Sequence, residues 1–418
     1  MEKGNEIKIA IPALRFPEFQ DTEGWKEYIL GDFLLEQPRY GINAPAIPFL
    51  EELPTYIRIT DISENGCFLP NPKVSVNHGA INDFYLNIGD LVFARTGASV
   101  GKCYKYKEKD GKLVFVGFLI KVSPDQTRLS SDFLFQFTFT QQYWKWIDLT
   151  STRSGQPGIN SKELASMELY LPVKDEQQKI ADCLSSLDDL IEATAQKVRA
   201  LEKHKKGLMQ RLFPAEGKNV PDLRFPEFQG MKGWEKKQIK DFGEVITGNT
   251  PSKKEEKYWN GDFVWVTAQD FKGKYINDSI LKLTKFGKDK ARVIPKDSVL
   301  VTCIASIGLN AINKVECSTN QQINAICCNQ EYNYEYVYYL VTYNTENLKQ
   351  LAGQTAVPII TKKSFEEFEV YTIENYDEQQ KIADCLSSLD ELIETTSRKV
   401  EILKEHKKGL MQQLFPKI

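Results

Sequence analysis

The chain has 418 residues, 41% hydrophobic and 27% charged, with 54 basic against 57 acidic side chains and a formal charge of −3. This is an ordinary composition for a globular protein of two to four domains. No apolar run approaches the roughly 18 residues of a membrane-spanning helix, and MEKGNEIKIAIP lacks the layout of a signal peptide, so the expected location is the cytoplasm.

The first landmark is Leu14-Arg-Phe-Pro-Glu-Phe-Gln with Trp25, which returns as Leu223-Arg-Phe-Pro-Glu-Phe-Gln with Trp234. Three further landmarks recur in order. Tyr56-Ile-Arg-Ile-Thr pairs with Phe263-Val-Trp-Val-Thr, Asp90–Gly101 with Asp297–Gly308, and Gln156–Lys162 with Val357–Lys363. Alternation and β-branched content predict strands for the first two, with glycine-containing turns after them. Aromatics at helical spacing predict a helix over Phe133–Ile147 and another over Tyr334–Leu348. Lysines cluster at Lys102, Lys105, Lys107, Lys109, Lys112 and Lys121, and again from Lys272 to Lys296. Such clusters suit phosphate contact; a solvated hairpin face is the alternative.

Asp175–Pro214 (DEQQKIADCLSSLDDLIEATAQKVRALEKHKKGLMQRLFP) repeats as Asp377–Pro416 with nine of 40 positions changed. Its apolar steps alternate four and three, a heptad seam through Leu184, Leu187, Ile191, Val198 and Leu201, and through Leu386, Leu389, Ile393, Val400 and Leu403. So narrow a stripe needs a partner helix, and the other copy is the obvious one. Asp175 and Asp377 are the expected N-caps, and each Phe-Pro is a stop signal. Thr194 and Lys205, like Thr396 and Lys407, interrupt the seam, where polar residues fix register. Gly207 and Gly409 lie within the helical pattern. The expectation is an α+β chain: mixed regions at 1–174 and 215–376, helices at 175–214 and 377–418. The helices would form an antiparallel coiled coil that relates the regions by an approximate two-fold axis.

Catalytic chemistry is not found. Gly97-Ala-Ser-Val-Gly-Lys102 is one residue too short for a phosphate-binding loop and has Cys103 where Ser or Thr is needed. The eight cysteines show no CxxC spacing, and His78, His204 and His406 assemble no triad. No metal site and no bound cofactor are expected.

The tandem layout, the entry motif LRFPEF and the twice-occurring DEQQKIADCL…HKKGLMQ·LFP helix resemble the DNA-specificity subunit of Type I restriction–modification systems. That resemblance implies two target-recognition domains, each reading half of a split site in double-stranded DNA. It implies helices that set the gap and dock two methyltransferase subunits, which carry S-adenosylmethionine for adenine N6 methylation, with a motor-nuclease subunit joining them. By the same resemblance Gly89, Asp90, Arg95, Gly97 and Gly101 match a family loop, in which Thr302 would replace the arginine and Ile304 a glycine. A second loop matches at Gly155-Gln156 with Ile159 and, more loosely, at Gly353-Gln354 with Pro358 and Ile359. The residues assigned to DNA are Arg95, Thr96, Lys102, Lys105, Arg153, Gln156, Asn160 and Lys162 in the first region. In the second they are Lys272, Lys274, Thr302, Ser306, Gln354, Lys362 and Lys363. The rival expectation is a protein-only scaffold with two interaction domains on a coiled coil.

Overall fold

The structure, a computed structural model, describes residues 8–152, 155–215, 217–352 and 357–417. The chain divides into two compact units, residues 1–195 with 398–418, and residues 196–397. Each unit therefore takes its helical part from both long helices, Lys174–Leu212 and Tyr376–Leu414.

In the first unit a three-stranded sheet runs in the order Ile9–Ala10, Trp25–Ile29, Glu168–Leu171. A four-stranded antiparallel sheet runs Arg39–Tyr40, Leu119–Val122, Leu91–Ala94, Cys103–Lys105. A third sheet holds Thr55–Ile57 parallel to Leu113–Phe115. The second unit has the same plan. Glu235–Gln238 pairs with Glu369–Thr372. Gly243–Thr247, Ile323–Cys328, Val299–Thr302, Asn310–Asn313 and Tyr275–Ile276 form one sheet, and Trp259–Val266 lies parallel to Ser318–Thr319 in another. The strands Leu91–Ala94 and Val299–Thr302, apolar except for Thr302, are buried on both faces.

The expected single helices over 133–147 and 334–348 are each two. Ser131–Phe137 and Gln141–Ser151 are separated by Thr138–Thr140, where Thr140 caps the second helix by accepting from Tyr143 N. Tyr334–Tyr343 and Thr345–Gln350 break at Asn344. Short polar side chains compete with the helix for backbone groups at both breaks.

Each unit packs the first turns of one long helix against the last turns of the other. In the first, Ile180, Ala181 and Leu184 share a core with Met411, Leu414 and Phe415. In the second, Ile382, Ala383 and Leu386 share one with Met209, Leu212 and Phe213. Start meets finish, so the helices pair, as the seam predicts, and do so antiparallel, the orientation expected for two related regions. The Phe-Pro stops are core plugs: Phe415 meets Trp25 edge-on at 5.8 Å, and Phe213 meets Trp234 at 5.7 Å. All ten seam positions named above are buried or half-buried.

The polar interruptions are satisfied. Thr194 Oγ1 donates to Leu190 O and Thr396 Oγ1 to Leu392 O, each at 2.6 Å. Lys205 pairs with Asp390 at 2.5 Å, and Lys407 with Asp188 at 2.7 Å. A lysine in an apolar seam that needs an aspartate opposite tolerates few other registers. The N-caps differ from expectation. Asp175 and Asp377 lie inside the first turns, and Asn375 caps the second helix by accepting from Glu378 N at 2.9 Å.

The entry motif is an anchor. Arg15 grips Glu176 through two bonds of 2.9 and 2.6 Å, and Arg224 grips Glu378 through 2.8 and 2.7 Å. At Gly207 and Gly409 a Cβ would meet nothing within 4 Å. Each changed to Ala is therefore expected to stabilise the free chain by about 1 kcal/mol, read as a higher thermal midpoint. A lower midpoint contradicts it.

Candidate nucleic-acid interface

Two loops some sixty residues apart in sequence meet in the first unit. Thr96 bridges Gly158, Gly97 N donates to Pro157 O at 3.0 Å, and Ile159 N to Arg95 O at 2.9 Å. The second unit repeats these bonds: Ile304 bridges Ile359, Ala305 N donates to Pro358 O at 3.0 Å, and Ile360 N to Cys303 O at 2.8 Å. The pairing expected from the landmarks therefore needs correction. Cys303, not Thr302, stands at the Arg95 position, and Ala305, not Ile304, at the Gly97 position. Ala305 even keeps the left-handed backbone of Gly97, φ 63° against 72°.

A third segment completes the surface. Arg95 N donates to Phe118 O at 3.1 Å, and Cys303 N to Gln322 O at 2.8 Å. The turns also match. Val116 N bonds Ile57 O and Leu119 N bonds Val116 O, while Asn320 N bonds Val266 O and Ile323 N bonds Asn320 O. Side chains differ on this common frame. In the first unit the Arg95 guanidinium lies 4.6 Å over the Tyr40 ring, whose hydroxyl accepts from Ser161 N at 3.0 Å, and Phe118 is half exposed. In the second, Thr247 replaces Tyr40 and donates to Asn324 at 2.6 Å. Asn324 Nδ2 in turn reaches Cys303 Sγ at 3.2 Å. Burial pushes the Cys303 thiol up to about 12.

The expected contact residues do not come together as one set. Arg95, Thr96, Gln156, Asn160 and Lys162 gather on one face of the first unit. The Gln156 amide lies against Gly97, where a Cβ would sit 2.9 Å from it, and Asn160 caps Ser161–Ala165 reciprocally with Glu163. Ser306 is exposed on the matching loop of the second unit, with Lys362 and Lys363 beyond its cap Thr361. The two lysines are held by Glu366 at 3.4 Å and Glu367 at 3.9 Å. Lys102 and Lys105 are paired, with Glu64 at 2.6 Å and with Asp132. Lys272 is exposed. Arg153 and Gln354 lie outside the described residues.

Two assignments are corrected. Thr302 is fully buried, and its hydroxyl closes its own loop, donating to Ser306 O and accepting from Leu309 N at 3.0 Å. Lys274 turns inward, where its ammonium bonds Glu335 at 2.9 Å, Tyr339 at 3.1 Å and Ser387 at 2.7 Å. A charge satisfied three times in the interior is not available to a phosphate. Burial pushes Lys274 below the usual lysine range, with Glu335 opposing.

Burial raises the Glu335 carboxyl, but hydrogen bonds from Tyr275, Lys274 and Ser387 outweigh it and hold the group below its ordinary value. Its stabilising contribution is complete above the unfolded value of about 4.3 and is lost as pH falls through the lower folded value. Glu335→Gln is expected to flatten the acid limb of the urea midpoint plotted against pH; an unchanged limb contradicts this.

Among the described residues no group of three or more His, Cys, Asp or Glu could hold a metal ion, and no helix is long and apolar enough to cross a membrane. Sequence reasoning missed the turn Asn320-Gln321-Gln322 and its counterpart Val116-Gly117-Phe118. The polar run between two β-branched strands was the available signal.

Comparison with known proteins gives a consistent result. The family described as "Type I restriction modification DNA specificity domain" matches residues 23–203 and 231–405. The MjaIX specificity subunit of Methanocaldococcus jannaschii is 36% identical over 191 residues, a match spanning 44% of each chain. The HindI specificity subunit of Haemophilus influenzae is 25% identical over 83% of this chain and 89% of its own. The crystal structure of an S subunit from M. genitalium shares the fold, with a TM-score of 0.64 at 15% identity over 98% of this chain and 100% of that one.

Proposed function

The chain belongs to the Type I restriction–modification DNA specificity family, and on that premise we propose that it reads a bipartite target in double-stranded DNA, one part per unit. It is a specificity subunit and not the catalyst. In this reading the paired helices dock two methyltransferase subunits, which supply S-adenosylmethionine for adenine N6 methylation, and a motor-nuclease subunit joins for cleavage, all in the cytoplasm.

One observation carries the proposal. The two units hold the same loop frame by the same backbone bonds and dress it differently: Arg95, Tyr40 and Phe118 line it in one, and Thr247 and Gln322 in the other, where the side chain at the Arg95 position, Cys303, is buried. A frame fixed by main chain and varied in side chain is what reading two different sequences requires. A near-neutral total charge favours weak binding by the isolated chain and tighter binding in the assembly. Gel shifts with and without methyltransferase subunits test this; equal affinity in both cases speaks against it. Arg95→Ala is expected to cost about 1–3 kcal/mol and to relax preference at one position of one half-site. A uniform loss across all sequences would reassign Arg95 to the phosphate backbone.

A further inference from the structure

The second unit has a cleft of about 500 Å³, a largely apolar hollow carrying several amide side chains, that the first does not share in chemistry. Four chain segments build it, and they bring Thr250, Lys253, Trp265, Gln269, Gln321 and Gln322 to its lining. Its floor is rigid. The Trp265 indole donates to Asn249 O at 3.2 Å and packs edge-on against Trp259 at 4.9 Å. Its walls are pinned as well. Thr267 and Asp270 cap the turn bearing Gln269 reciprocally, and Ile280 N donates to Asp270 at 2.9 Å. The cleft is continuous with the loop surface through the bond from Cys303 N to Gln322 O.

The hydrogen-bonding groups are unevenly used. Gln321 accepts from Thr250 at 2.7 Å and Gln322 from Asn320 at 3.0 Å, one bond to each oxygen, and among the described residues both amide nitrogens are left without an acceptor. Gln269 is exposed, and among the described residues neither end of its amide is bonded. Lys253 is exposed without an ion pair among them. An amide with donor and acceptor both free matches the N7 acceptor and N6 donor of an adenine in the major groove.

The first unit provides the contrast. Its turn is capped by Arg58 and Asp61 as the other is by Thr267 and Asp270, so Thr60 occupies the place of Gln269. By the backbone bonds already given, Gly117 and Phe118 occupy the places of Gln321 and Gln322. The cleft's amides are thus particular to one unit.

We infer that this cleft is where the second unit reads its part of the target. Gln269 contacts an adenine edge, Gln321 and Gln322 offer donors to neighbouring acceptors, and Lys253 holds a phosphate. The inference rests on the DNA-reading role proposed above.

The test is selection of a randomised duplex pool by the chain assembled with its methyltransferase subunits. It compares the wild type with Gln269→Leu, Gln269→Leu combined with Gln321→Leu, and Lys253→Met. The expected result is that Gln269→Leu loses an adenine preference at one position of one half-site and binds the original motif about 10- to 100-fold more weakly. The other half-site stays intact and reports correct folding. Lys253→Met should weaken all sequences alike and lower the salt slope by about 1. A wild type that selects no motif would overturn the DNA-reading role itself. A wild type with a two-part motif that the glutamine variants leave unchanged would overturn only this inference, as would a lost guanine preference in place of an adenine.

Discussion

Leu386→Asp is expected to unfold the helical part of the second unit, and Leu184→Asp that of the first. Both leucines are fully buried, each in a core that joins the start of one long helix to the end of the other. The change removes a packed side chain and places an unpaired carboxylate in the same apolar space. Each effect alone costs a few kcal/mol, so the sum exceeds about 4 kcal/mol, at the extreme of single substitutions. Loss of far-UV helical signal at low urea, with loss of co-elution with partner subunits, is the expected outcome. Leu187 and Leu389, one seam step on, are only half-buried, so aspartate there should cost less. Equal effects at the two steps would sink this account of the seam.

Glu378→Ala should be nearly as damaging, and the reason is electrostatic. Glu378 has 1% side-chain exposure, and it accepts both arms of Arg224, itself 11% exposed. Removing the carboxylate leaves a guanidinium with no counter-charge, a loss of about 3–5 kcal/mol. The double change Arg224→Met with Glu378→Leu should recover most of that, because it removes the stranded charge together with its partner. Urea midpoints for the three variants decide the matter. A double variant no better than Glu378→Ala would show that the pair acts through packing. Glu176→Ala should behave the same way against Arg15, since the first pair has the same two-bond geometry.

The long helices were legible because a seam from Ile180 to Leu212 states both period and partner. Their polar breaks were legible as register devices, although Asp188 and Asp390 could not be matched to Lys407 and Lys205 without the fold. The loop surfaces were half legible. Pro157 and Pro358 align directly, and the backbone bonds agree. The strand before them was misread by one residue, because Gly101 and Gly308 anchor the alignment while the second loop is one residue shorter between Ala305 and Gly308. A slip of one moves a side chain to the other face of a strand, which is why Thr302 was placed outward when it lies inside. The other strand slipped by two: Tyr56 corresponds to Trp265, not Phe263, since the Tyr56 hydroxyl donates to Ile42 O and the Trp265 indole to Asn249 O. A slip of two preserves the face, so alternation could not expose it. The cleft was illegible for another reason. Its residues come from four separate stretches and share no spacing.

The way the first unit is completed bears on how the protein is made. Residues 398–417 supply Met411, Leu414 and Phe415 to a core otherwise built from residues before 185. A ribosome that has emitted everything up to residue 397 has therefore delivered nearly all of that core without the pieces that seal it. Maturation of the first unit must wait until residues 398–417 have been made, and a message truncated ahead of them would harm a core laid down some two hundred residues earlier.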